Sequence, residues 1–445
     1  MAMFEHLDDQ TEPNVGALEL ARVLNRAGTI QTRRRWFAVL TVSCVLLIAA
    51  IGALLSQPFD TPASTLSNYQ FNLAKGPLPL GSPVPTTALV DVQFANGQAG
   101  YALALHRNEV VLAASGDGGS TWTVRNTDLP AGLGPGAGYP GQFEFVGSIG
   151  YLWGASSATG APLWVSDDAG ASWHKAPIGP YVYDASAIGL NVWALYGTCS
   201  SSYAASTSCS VNVEQSVDGG TSWSSLGAIA SGEPVGGRSI ELARITTSRS
   251  YVLENVTNAS DTANWMLAFT NDGGGSWNTR PAPCNGAFSN GAEVAASSSD
   301  DLWLLCGSQA TAGEQSKQLY RSGDGGGTWR LVASATGLGT PPPSSVPTDP
   351  LPLSGYIAPF TVGHHNLAVA SPERAWLFPA RADLYETQDD GTSWAPVSDL
   401  SPAGFADGGL GNISFLNATQ GWICEYSVGL WHTSDGMTWH PLGAS

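Results

Sequence analysis

The sequence predicts an all-β fold, a seven-bladed β-propeller of four-stranded antiparallel blades, preceded by one transmembrane helix. Three observations carry this. An eight-residue phrase, Ser/Thr-x-Asp-x-Gly-x-Thr/Ser-Trp, occurs seven times, the last copy one residue short. From Trp to Trp the copies lie 45 to 65 residues apart, about the length of a four-stranded propeller blade. A single uncharged run of 20 residues, Trp36 to Leu55, stands near the N-terminus.

Residues 1–35 read as a cytoplasmic segment with one amphipathic stretch around Val15 to Ala27. Residues 36–55 are long enough, at ~1.5 Å per residue, to cross a bilayer core of ~30 Å. Arg33, Arg34 and Arg35 directly precede them, and the next basic residue is Lys75. That asymmetry places the protein in the cell membrane as a single-pass chain, N-terminus in the cytoplasm and bulk outside. A cleaved signal peptide fits less well, given the long lead-in and the lack of a clean small-x-small site. Residues 56–87, rich in Pro, Ser and Thr, read as a stalk. Residues 88–445 form the propeller.

Each repeat supplies four short apolar runs. One precedes the phrase directly, as Val110 to Ala114 does, and one follows its Trp. An aromatic-centred run lies further upstream, at Tyr101, Tyr151, Trp193, Tyr251, Trp303, Trp376 and Trp422, and a fourth lies about ten residues before that. Four runs separated by Gly, Asn and Asp turns make a blade. The sixth repeat is interrupted by a proline-rich stretch, Thr340 to Pro352. Such a stretch cannot enter a sheet and reads as a stiff surface loop, a usual place for recognition.

Turn chemistry accounts for the phrase itself. Its aspartates, Asp117, Asp168, Asp218, Asp272, Asp324, Asp389 and Asp435, can accept backbone N–H groups that follow them. Glycine at the fifth position permits positive φ. Trp122, Trp173, Trp223, Trp277, Trp329, Trp394 and Trp439 supply an apolar cover for the hairpin and an N–H for a carbonyl. These fourteen residues are therefore read as structural, because a ring keeps seven aspartates on separate blades.

Before the membrane segment five acidic and five basic residues balance, so the net −18 falls entirely on the remainder, with 31 acidic against 13 basic residues. That balance excludes nucleic acid as a partner. It permits cations or basic protein surfaces, and it also favours solubility. Five cysteines follow the membrane segment, which in an oxidising compartment implies two disulfides and a spare. Cys199 and Cys209 flank a Ser-rich loop, while Cys284 and Cys306 fall within one predicted blade and could pair across strands; spacing alone leaves the pairing open.

Inner strands line the axis of a propeller, and here they carry polar residues. Asp91, Glu241, Glu293, Asn366 and Asn412 each stand ten positions before the aromatic of their repeat, and Glu144 and Asp184 fit with a small slip. Asp91, Glu144, Asp184, Glu241 and Glu293 are the candidate binding residues, an acidic ring for a cation or a basic group of a partner. The competing reading has each side chain bonding the backbone of the next blade. Neither a metal nor a cofactor is expected. His364 and His365 would face opposite sides of a strand, and His106, His174, His432 and His440 are scattered. No Gly-x-Ser-x-Gly elbow, phosphate loop or HExxH helix occurs.

The phrase resembles the Asp-box, or bacterial neuraminidase repeat, over essentially all of residues 88–445. Asp-boxes occur in sialidases, xyloglucan-cleaving enzymes, sorting receptors and photosystem assembly factors, so the resemblance implies a blade design. The even spacing is most similar to the seven-bladed photosystem II stability/assembly factor-like proteins, which are non-catalytic, lie outside the cytoplasm and bind other proteins. Sialidases have six blades, an early Arg-Ile-Pro motif, three arginines for the substrate carboxylate and a Tyr/Glu nucleophile pair. Neither Arg107 nor Arg125 is followed by Ile-Pro, and Arg280-Pro281 trails a box in the fourth blade. The resemblance thus implies a non-catalytic scaffold for a protein or glycan ligand. The alternative is a glycoside hydrolase of the Asp-box type, using two carboxyls roughly 5–10 Å apart. Oligomeric state is not fixed by the sequence.

Overall fold

The computed structural model describes residues 78–443 except 108, 131–140, 155–161, 180–181, 198–210, 230–239, 258–262, 290, 309–315, 336–366, 378–383 and 398–410. The expected membrane segment, Cys199, Cys209, His364, His365, Asn366 and the 340–352 stretch lie outside the described residues. Seven four-stranded antiparallel sheets form, each from four strands consecutive in the chain. In blade one these are Leu89–Phe94, Gly100–His106, Glu109–Ser115 and Thr123–Asn126. The first strands of the other blades are Gln142–Val146, Val182–Ile188, Ile240–Arg244, Ala292–Ala296, Leu367–Val369 and Gly411–Phe415. First strands of neighbouring blades approach one another at all seven junctions, including blade seven to blade one, so they line the axis and the ring is closed.

Burial follows from that placement. A blade's second strand has a neighbouring blade on both faces and reads as a continuous apolar run: every residue of Leu302–Gly307 is buried. The fourth strand is at the rim, and Ser224–Ala228 is mostly exposed. The hydrophobic core is accordingly divided into seven wedges, one per seam between blades. The predicted aromatic runs all fall on second strands.

Those aromatics have a job the sequence reading left unassigned. Tyr101 stacks on Phe145 of the next blade's first strand with ring centroids 3.6 Å apart, Trp376 on Phe415 at 3.9 Å, and Trp422 on Phe94 at 3.8 Å. The phrase Trp of the blade that carries the Phe then meets that ring edge-on, Trp173 at 6.1 Å, Trp439 at 5.9 Å and Trp122 at 5.9 Å. Such pairs add about 0.5–1.5 kcal/mol each beyond area burial. The phrase Trp therefore belongs to the seam as well as to its hairpin.

Ahead of the first strand, Leu78, Val84, Thr86 and Thr87 are already buried against the ring. One expectation is corrected. Cys284 and Cys306 do form a disulfide, with Cα atoms 5.3 Å apart. It joins the connector after the fourth strand of blade four (Asn278–Pro281) to the second strand of blade five (Leu302–Gly307), not two strands of one blade.

Candidate functional site

The seven phrases fold into one recurrent turn. In blade two, Ser166 Oγ–H donates to Asp168 Oδ1 at 2.8 Å and accepts the Gly170 N–H at 2.8 Å. Asp168 Oδ1 also accepts the Ser172 N–H at 2.9 Å, and its Oδ2 accepts the Ser172 hydroxyl at 2.6 Å. The same set recurs at Asp117, Asp218, Asp272, Asp324 and Asp389. Asp435 keeps it in shortened form. These hydrogen bonds favour the charged carboxylate. The Ser172 and Ser222 hydroxyls hold Asp168 and Asp218 at about 2, and the Thr328 N–H does so for Asp324. Trp122 and Trp223 donate their indole N–H to the glycine carbonyl three residues back at 2.9 Å.

At the axis the polar residues reach sideways. Glu144 Oε2 accepts the Ala187 N–H of blade three at 2.9 Å. Asp184 Oδ2 accepts from Leu242 of blade four at 2.7 Å, Glu241 Oε2 from Val294 of blade five at 2.8 Å, and Glu293 Oε1 from Leu367 of blade six at 3.0 Å. Asn412 in blade seven accepts the Val92 N–H of blade one at 3.3 Å and donates to Val92 O at 3.0 Å. Between blades one and two the acceptor is Gln93, bonded by Phe145 N–H at 2.7 Å, while Asp91 receives the Asn412 amide. Electrostatic contact links Glu144 to Asp184, and Glu241 to Glu293 and Asp184, whereas Asp91 meets Asn412 of the preceding blade; the other inter-blade acceptors each serve a backbone N–H of the following blade.

Burial governs their charge. It raises Asp91 and Glu144 to about 8 and Asp184 to about 7, against the opposing pull of their backbone donors. Glu241 is pushed well above the usual carboxylate range, first by burial and then by the charges of Glu293 and Asp184. Glu144 and Glu241 are half-buried, whereas Asp91, Asp184 and Glu293 are buried. Arg244 lies among them, 4.5 Å over the Trp193 ring, with Nη1–H donating to Ser186 O and Asn191 O. Burial lowers it to about 10, and Glu144 works against that drop.

Sequence reasoning missed the arginines of the seams. Arg125 Nη2–H donates to Asp168 O at 2.7 Å, and its neighbour Asn126 donates to Gly170 O at 2.9 Å and Ala171 O at 3.0 Å. Arg280 reaches Gly325 O at 3.1 Å and Arg374 reaches Gly436 O at 2.8 Å. Asp390 holds φ +66° at a place where other copies mostly have glycine, and it is gripped by Arg321 and by Arg330, the latter at 2.9 Å. A signal existed: Arg125 and Arg280 each stand three residues after a phrase Trp. Among the described residues no cluster of His, Cys, Asp and Glu has the arrangement of a metal site.

No family model matches the chain. No curated protein matches it either. Among solved structures, YCF48 bound to a D1 peptide is similar over 81% of this chain and 98% of its own, at 18% identity and TM-score 0.49. The xyloglucanase of Xanthomonas campestris is similar over 83% of this chain and 56% of its own, at 17% identity and TM-score 0.48. The BP39L lectin of Burkholderia pseudomallei is similar over 80% and 99%, at 14% identity and TM-score 0.48. At these values the likenesses are too distant to carry a functional argument.

Proposed function

We propose that this protein is a membrane-anchored, extracytoplasmic binding platform, non-catalytic, whose rigid ring holds a protein or glycan ligand. One observation carries the reading. The carboxylates and amides of the inner strands, the residues best placed to act on a substrate, are engaged from blade to blade as acceptors of backbone N–H groups. Seven of the arginines that a carboxylate-binding enzyme would need, Arg125, Arg244, Arg249, Arg280, Arg321, Arg330 and Arg374, likewise bond across seams. Such a ring is stiff, and stiff scaffolds suit recognition by the loops they carry. The buried Cys284–Cys306 disulfide supports an oxidising, extracytoplasmic setting. The charge asymmetry around residues 36–55 supports the anchor.

The rival reading, a glycoside hydrolase, draws on the electrostatic coupling of Glu241 and Glu293, since one acid kept protonated beside another is a glycosidase arrangement. A panel of fluorogenic glycosides separates the two. The platform reading expects no turnover. Turnover by the purified full-length protein that is abolished in both Glu241→Gln and Glu293→Gln would overturn it.

A further inference from the structure

Every blade consists of four consecutive strands, so no sheet mixes strands from the two ends of the ring. Six seams are crossed by chain passing from one blade's last strand to the next blade's first. The seam between blades seven and one has no such crossing. What spans it is the segment just before the first strand. Gly81 N–H donates to Val124 O at 2.8 Å, Val124 N–H to Ser82 O at 2.8 Å, and Val84 N–H to Trp122 O at 2.9 Å. Gly81 to Val84 therefore runs antiparallel along the start of the rim strand of blade one, with an isolated bridge at Pro83 and Thr123. The chain then turns to blade seven, where Thr87 O accepts the Ser427 N–H at 2.9 Å and the Thr86 hydroxyl donates to Leu442 O at 3.4 Å. Beneath it, Leu78, Val84 and Ala88 pack in one core with Trp422, Cys424 and Leu430.

We propose that residues 78–88 form a strap that holds the ring shut at its one seam without a chain crossing, so that displacing the strap opens blades seven and one before any other pair. The strap is hydrogen-bonded to both blades and fills the wedge between them. It supplies on the outside what Asn412 supplies at the axis. Because it continues directly from the N-terminal chain, a pull on that chain, or a cut within the strap, acts on this seam first. The proposal stands independently of what the ring binds.

Cys424 reports on it. This thiol is buried in the same wedge and is free. The full-length protein is exposed to a maleimide under native conditions, and labelling of Cys424 is followed by peptide mass spectrometry, which separates it from other cysteines. Gly81 has φ +80° and a β-carbon there would meet nothing within 4 Å, so Gly81→Ala strains the strap without crowding the core. Val84→Ala hollows the wedge and Val84→Asp puts a charge in it. Strap variants are expected to label Cys424 about tenfold faster than the wild type, the factor that a β-carbon at positive φ implies. Val294→Asp, in the wedge between blades four and five, should leave that rate unchanged. Equal acceleration by Val294→Asp, or none from Gly81→Ala and Val84→Ala, overturns the proposal; these two variants carry the test if Val84→Asp does not fold.

Discussion

At Gly170 the backbone takes φ +81°, and a β-carbon there would lie 2.2 Å from Leu112 Cδ2 on the preceding blade. Gly274 and Gly326 stand in the same relation to Leu226 and Leu267, each at 2.6 Å. The fifth residue of the phrase thus answers two demands at once, a left-handed turn and a side-chain-free approach to the neighbouring blade. Only the first can be read from the sequence, because the second needs to know which blade lies alongside. Gly170→Ala combines a positive-φ cost with overpacking and should destabilise by roughly 2–4 kcal/mol. Gly116→Ala, one position before Asp117, meets nothing within 4 Å and has ordinary φ, so it should be nearly neutral. Urea midpoints of the two variants check this; similar midpoints would show that the approach to Leu112 relaxes freely.

At the scale of the blade, the four-strand unit and its count were legible because each depends on local pattern: apolar runs, turn residues and a Trp at a fixed offset. The seam was legible only in part. A polar residue about ten positions before each aromatic marks the inner strand, and that spacing picked out Asp91, Glu144, Asp184, Glu241 and Glu293. A bond from each side chain to the next blade's backbone was one of two readings open from the sequence; which N–H each would meet was not legible, since that depends on how far one blade is rotated from the next. Asn126 makes the same point at the rim. It is buried and donates to two carbonyls of the next blade's turn, yet in sequence it is one more polar residue after a Trp. Asn126→Ala leaves those carbonyls without their donor and should cost about 1–3 kcal/mol, whereas Lys175→Ala, on an exposed rim strand, should cost under ~0.5 kcal/mol. Equal losses in chemical denaturation would remove Asn126 from the seam.

For the whole ring, the two carboxylate populations pull stability in opposite directions with pH. Unfolded, all have pKa values near 4. The folded ring holds Asp91 and Glu144 protonated up to about 8 and Asp184 up to about 7. Between pH ~4 and 8 the unfolded chain therefore binds fewer protons than the folded one, and stability falls as pH rises through that window. The turn aspartates, held at about 2 in Asp168, Asp218, Asp272 and Asp324, contribute stability above pH ~4 that is lost as pH falls towards 2. The melting temperature should accordingly peak on the mildly acidic side. Glu144→Gln, which keeps an acceptor as Gln93 does naturally, should flatten the alkaline limb and leave the acid limb unchanged. A peak above pH 8, or an unchanged alkaline limb in the variant, would show that the axial acids are not the cause.

The axial hydrogen bonds also have a sense of rotation. At each of the six described junctions a side chain of one blade accepts a backbone N–H of the following blade, and at the junction of blades seven and one Asn412 also donates to Val92 O. Two unlike surfaces meet at every junction, as in a head-to-tail oligomer, and such a contact propagates until its rotation brings it back to the start. Built into one chain, it makes the propeller an internal cyclic heptamer, in which closure is a matter of angle and each repeat carries both halves of its own joint.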